Sequence, residues 1–221
     1  MIVTEQKPFT EIINSLESYN KIFLIGCGEC ATTCKTGGAQ ELIKMREELA
    51  ANGKTVLGTC IPDAPCIASQ MKTELAKNMQ LLRQADAILV LACGLGAQSV
   101  RDNNRTGSAV LPACNTLCSA LMDAKGDFYE KCSMCGDCVL GITAGICPLT
   151  LCAKGILNGP CGGMNKGKCE IDAEKDCAWV LIYKELEKTG KLDKLKEIQP
   201  PKDFKKTTKP HRLILPQTAG K

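Results

Sequence analysis

The order of residues predicts an α/β protein: a parallel-sheet, Rossmann-like N-terminal domain, then a small loop-rich cysteine and metal module, then a C-terminal helix and tail. Three observations predict it. Apolar runs of strand length recur four times, and each leads into a cysteine. Helical periodicity separates the first three runs. Beyond Lys131 aliphatic residues thin out while glycine and cysteine crowd in.

Residues 7–18 put Phe9, Ile12, Ile13 and Leu16 on one helical face, with Pro8 suited to the first turn. The four strand-like runs follow. They are Ile22-Phe23-Leu24-Ile25 before Cys27, Val56-Leu57-Gly58-Thr59 before Cys60, Ile88 to Ala92 before Cys93, and Ala109 to Ala113 before Cys114. Helices are expected over 39–51 and 67–84. Continuous apolar strands alternating with helices mean a parallel sheet covered on both faces. Its ligand site lies beyond the carboxyl ends of the strands. All four strand-ending cysteines should therefore meet at that edge. Any one of them alone is as well explained as a small buried apolar residue.

The first strand runs into GCGECATTCKTGG, which carries Cys27, Cys30 and Cys34. The glycine spacing is close to a dinucleotide fingerprint, but the helix starts only after Gly37-Gly38. The next strand also ends in Cys60 where an acidic residue should hold a ribose. Three thiols in the phosphate loop's place point to a metal core instead. Cys60 and Cys93 are the first candidates for a fourth ligand, then Cys66. Gly94 and Gly96 leave room for a cofactor to approach the backbone. A short helix is expected over 115–124, with Cys118 in the core, and the first domain ends at residue 126.

The module over 127–176 opens with Cys132-x2-Cys135-x2-Cys138 and continues through Cys147-Pro148, Cys152, Cys161 and Cys169. Three thiolates at that pitch can wrap one small inorganic core, and Cys-Pro closes such motifs in bacterial ferredoxins. Here eight residues separate Cys138 from Cys147, so the likeness is to the first half of the motif only. Structural zinc uses four thiolates as well. A module this poor in aliphatic residues needs metal to fold. The C-terminal region, 177–199, opens with an amphipathic helix over 177–189 bearing Trp179, Ile182 and Leu186, with Cys177 in the core. The tail, 200–221, is basic and dotted with proline. Its Leu213-Ile214-Leu215-Pro216 is a candidate docking peptide.

The chain has 221 residues, 16 cysteines and a net charge of +4. Met1-Ile2-Val3 leads straight into polar residues, so no secretory signal is expected, and no apolar run is long enough to span a membrane. That favours a reducing, cytoplasmic setting in which clustered cysteines bind metal rather than form disulfides. The basic tail lacks the aromatic interleaving of a nucleic-acid surface. His211 is the only histidine, which excludes histidine-rich metal sites and Cys–His catalysis.

The segments CSMCGDC, GICP, CAKG, NGPCGG and GKCE, which together contain Cys132, Cys135, Cys138, Cys147, Cys152, Cys161 and Cys169, resemble the methylenetetrahydrofolate reductase C-terminal domain family of acetogenic bacteria. GCGECATTCKTGG and LACGLGAQSV resemble the first half of the same small subunits. The resemblance implies an iron–sulfur subunit in a heteromeric complex with a flavin-bearing TIM-barrel reductase subunit, the FMN residing in that partner. It implies an upstream donor such as ferredoxin or another iron–sulfur or flavin protein, and no catalytic residue in this chain. Two [4Fe–4S] clusters are expected, one per cysteine-rich half. The cysteine count allows a third metal site, cluster or zinc, at Cys147, Cys152, Cys161 and Cys169. A zinc-binding, non-redox adaptor of the same complex is the alternative, and an enzyme acting through a metal-activated thiolate is a third reading.

Overall fold

The computed structural model describes residues 1–214. The chain divides into two compact units, Met1–Phe128 and the chain from Tyr129 onward. The first unit begins β1 (Ile2–Gln6), α1 (Phe9–Ser15), β2 (Lys21–Ile25), α2 (Cys30–Thr33), α3 (Ala39–Ala51) and β3 (Thr55–Cys60). It continues α4 (Ala68–Lys77), α5 (Met79–Leu82), β4 (Ala87–Val90), α6 (Gly94–Asn103), β5 (Ala109–Pro112) and β6 (Cys114–Met122). The short β7 (Phe128–Glu130) lies at the division, and the second unit adds α7 (Pro148–Leu151) and α8 (Ala178–Lys188). Two 3-10 turns follow, at Leu192–Lys196 and Phe204–Thr207.

Four strands form a parallel sheet in the order β3-β2-β4-β5. Its central strands alternate between two cores. Phe23, Ile25, Ile88 and Val90 face α4, α5 and α6 through Met71, Leu75, Leu82 and Val100. Ile22, Leu24, Leu89 and Leu91 face α1 and α3 through Ile12, Leu16, Leu42, Met45 and Leu49. Both faces of β2 and β4 are thus apolar and fully buried, so these strands read as unbroken hydrophobic runs.

Two expectations are corrected. Residues 114–122 form a strand, not a helix. β6 pairs antiparallel with β1 and carries β7 on its other side, making a second, three-stranded sheet. Leu117 and Leu121 are spaced as on a helical face, but both are more than half exposed. The pairing partner, not the local pattern, decides the conformation. The helix expected over 67–84 is broken at Asn78, whose side-chain amide donates to the Glu74 carbonyl at 2.9 Å. Two helices, α4 and α5, result.

Among the described residues the second unit holds one apolar cluster, built by α8. Cys177, Trp179, Ile182 and Leu186 form its centre, with Ile146, Cys152, Leu192 and Leu195 packed around them. Trp179 Nε1 donates to the Ile156 carbonyl at 3.0 Å. Asn158 and Gln199 exchange hydrogen bonds at 2.8 Å each, which ties the chain after α8 back to the cysteine-rich loops. No described helix is long and apolar enough to cross a membrane. Of the expected docking peptide, Leu215 and Pro216 lie outside the described residues; Leu213 and Ile214 are exposed.

Candidate functional site

In the first unit the cysteine loop is bound to the carboxyl edge of the parallel sheet by backbone. Cys27 N–H donates to the Gly37 carbonyl at 3.0 Å, and Gly26 N–H to the Cys60 carbonyl at 2.9 Å. A Cβ on Gly37 would stand 1.8 Å from the Leu91 carbonyl oxygen, so only glycine lets the loop lie on the end of β4. Thr36 joins this loop to the antiparallel sheet. Its hydroxyl meets that of Thr4 at 2.6 Å, and its carbonyl accepts from Gln6 Nε2 at 3.3 Å and from the Cys114 thiol at 3.6 Å.

This framework gathers five thiols. Ile2 N–H donates to Cys30 Sγ at 3.5 Å, and the Cys34 thiol donates to the Ile2 carbonyl at 3.7 Å. Burial pushes the Cys27 thiol above its ordinary pKa; backbone hydrogen bonds at Ala31 and Glu29 oppose that, and Cys30 and Cys93 add to it. Burial pushes Cys114 up to about 12; Thr36 opposes, and Cys93 and Cys34 add. Cys27, Cys30, Cys34, Cys93 and Cys114 are therefore within electrostatic reach of one another in an overlapping chain. Burial keeps the Cys27 and Cys114 thiols protonated at neutral pH, and a metal bound there would have to displace their protons.

Cys60 is not among the charges that Cys27 or Cys114 feels. It packs against the α4 side of the sheet, and burial pushes it up to about 12, with Glu74 and Lys77 as the charges it feels. Cys66 is exposed. Gly94 gives its amide to Thr116 Oγ1 at 2.8 Å, and the close approach at Gly96 is to Ala92 and Pro65. Cys114 was legible as a strand-ending cysteine; what the sequence does not reveal is that it feels both Cys93 and Cys34.

In the second unit Cys132, Cys135, Cys138 and Cys147 line one cavity of about 180 Å³. Its wall also includes Met134, Leu140, Leu149 and Lys202. Met134 holds a left-handed backbone, φ 54°, and from there its amide donates to Cys132 Sγ at 3.3 Å. Left-handed backbone at a non-glycine residue is strained and concentrates at functional loops. Thr150 Oγ1 donates to Cys147 Sγ at 3.5 Å. A backbone hydrogen bond at Asp137 and, more weakly, the Lys202 ammonium hold Cys135 below the usual thiol range, against the effect of burial. The C-terminal segment lies over this loop. Lys206 pairs with Asp137 at 3.6 Å, and its Cβ lies 3.0 Å from where a side chain on Gly136 would start.

The remaining cysteines are divided. The Cys161 thiol donates to Glu170 Oε2 at 3.7 Å, and Glu170 pairs with Lys154 at 2.6 Å. Lys154 also feels Cys161 and Cys169. Cys152 packs against the α8 cluster, and Cys177 is buried in it. Cys147 thus lies along the cavity of the first three cysteines.

Among the described residues no three histidine, cysteine or acidic side chains converge on a point that would hold a single metal ion. An iron–sulfur cluster makes a different demand: four thiolates around a cavity, with donors toward the sulfurs and compensation for negative charge. The cavity between Cys132 and Cys147 has those features in its four thiols, the Met134 amide, the Thr150 hydroxyl and Lys202.

An α/β unit that gathers thiols at one sheet edge, followed by a loop-rich unit with a four-cysteine cavity, defines a protein with two separate thiol-rich centres. Residues 111–205, less than half of the chain, match the family described as methylene-tetrahydrofolate reductase C terminal. The matched stretch contains the four-cysteine cavity and Lys202. No curated protein and no solved structure matches the chain.

Proposed function

We propose that this chain is a small iron–sulfur subunit, of the MetV type, in a cytoplasmic methylenetetrahydrofolate reductase complex. It delivers electrons to the FMN of a TIM-barrel partner subunit from a donor of the ferredoxin class. The observation that carries this reading is the cavity lined by Cys132, Cys135, Cys138 and Cys147 inside the stretch that matches the reductase family. Those four cysteines would hold one [4Fe–4S] cluster. In the first unit Cys27, Cys30 and Cys34, with Cys93 or Cys114, would hold another. Bound there, such clusters supply one-electron transfer.

The chain's own residues hold and tune. Met134 and Thr150 give hydrogen bonds to the second set, and Ile2 gives one to the first. Leu140 and Leu149 wall the second cavity with apolar surface. Hydride chemistry on the folate belongs to the flavin subunit.

The chain purified without oxygen should be brown, bleach with dithionite and contain iron. A colourless, zinc-bearing chain would instead make it a structural adaptor. In the assembled complex Cys135→Ala should abolish folate reduction driven by reduced ferredoxin. Reduction driven by a dye that reaches the flavin directly should survive. Full activity with both donors would show that the loop is structural.

A further inference from the structure

Lys202 is buried, with 9% of its surface exposed. It comes from the proline-dotted basic segment after Pro200-Pro201, where every other lysine is exposed among the described residues. Its Nζ has no hydrogen-bond partner in the described structure. The neighbouring carboxylates are committed elsewhere. Asp137 pairs with Lys206, and Asp203 accepts the Lys205 backbone amide at 3.0 Å. Taking an ammonium out of water without a partner costs several kcal/mol. A fold keeps such a group only where something compensates it. What Lys202 borders is the cavity of Cys132, Cys135, Cys138 and Cys147.

We infer that Lys202 is the built-in counter-charge of the four-cysteine centre, a positioning residue that sets the reduction potential of the cluster held there. The inference rests on the iron–sulfur reading above. A [4Fe–4S] cluster on four thiolates carries charge −2 when oxidised and −3 after accepting one electron. A fixed positive charge beside it stabilises the reduced state more, so it raises the potential. No proton need move, and the electron comes from the external donor.

The test is a dithionite titration of the full chain, purified anaerobically and followed by EPR, with iron content measured in parallel. Lys202→Met should keep its iron and become harder to reduce, with the one-electron equilibrium constant falling about tenfold, which is about 59 mV. Lys202→Arg should restore the wild-type potential. Lys205→Met, which removes an exposed charge three residues away, should change the constant less than twofold. If Lys202→Met loses its iron while Lys202→Arg keeps it at the wild-type potential, charge and not shape decides, and the inference stands. An unchanged potential in Lys202→Met overturns the inference and leaves the electron-transfer reading intact. Loss of iron in both variants assigns Lys202 to packing and overturns it too. A wild-type chain with zinc and no iron sinks the electron-transfer reading, and this inference with it.

Discussion

Two residues show how tightly the first thiol-rich centre depends on single atoms. Gly37 lies against the Leu91 carbonyl so closely that even a methyl group has no space. The obstacle is backbone at the end of a central strand, which cannot yield as a flexible side chain would. Gly37→Ala should therefore be severely destabilising, by more than about 4 kcal/mol, and yield little soluble chain. Urea unfolding would check this; a variant of near wild-type stability would mean the loop can lift from the sheet without cost. Cys60 makes a different case, a half-buried thiol at the end of β3. Its pKa in the folded chain is about 12, against an ordinary 9.0. The unfolded chain gives up this proton first. The stability gained from keeping Cys60 neutral is complete below about pH 9 and is lost as pH rises toward 12. Stability of the metal-free chain should fall across that window, and Cys60→Ala should reduce the slope. At pH 8 iodoacetamide should leave Cys60 unmodified in the folded chain; rapid labelling there would contradict the burial.

Among the elements, α8 does for the second unit what a whole sheet does for the first. It supplies Trp179, Ile182 and Leu186, and the surrounding loops contribute only fringe contacts to the same cluster. Ile182→Ala should cost about 2–5 kcal/mol, the usual range for emptying a fully buried aliphatic site. Trp179 is the only tryptophan, so its fluorescence reports this unit alone and the measurement is direct. The same contrast explains what could be read from the sequence. The strands β2 and β4 were legible because both faces are buried, leaving runs such as Ile22-Phe23-Leu24-Ile25 that nothing else explains. The antiparallel sheet was not legible. β1 and β6 are partly exposed and more than a hundred residues apart, so only their pairing defines them. The gathering of Cys27, Cys30 and Cys34 near Cys93 follows from strand order and was foreseeable; that Cys114 also feels Cys93 and Cys34 depends on the β5 to β6 junction that follows the sheet. Lys202 left no trace at all, because one lysine in a basic tail becomes notable only when it is buried.

Across the whole molecule, stability is unequally distributed. The unit Met1–Phe128 has two extensive cores, one on each face of its parallel sheet. The unit from Tyr129 has a single small cluster, and its cysteine loops are largely exposed. On the iron–sulfur reading proposed above, metal binding energy would serve as folding energy in the second unit far more than in the first. Chelation or oxidative loss of bound metal should open residues 130–176 to protease before residues 20–120. Equal resistance of the two regions, followed by mass spectrometry of the fragments, would show that burial alone suffices for both.

The register of β1 against β6 sets a timetable for biosynthesis. Ile2 pairs with Ser119, and the same Ile2 holds Cys30 and Cys34 through its amide and carbonyl. That contact cannot close until the ribosome has made residue 119 and released it from the exit tunnel. Until then β1 has no partner strand and the first thiol loop lacks one of its walls. The first centre thus becomes complete late, although its first three cysteines are among the earliest residues translated. Nascent chains stalled before Cys114 should lose residues 1–8 to protease, and chains stalled well beyond Met122 should keep them. Early protection would mean that β1 finds another partner during synthesis.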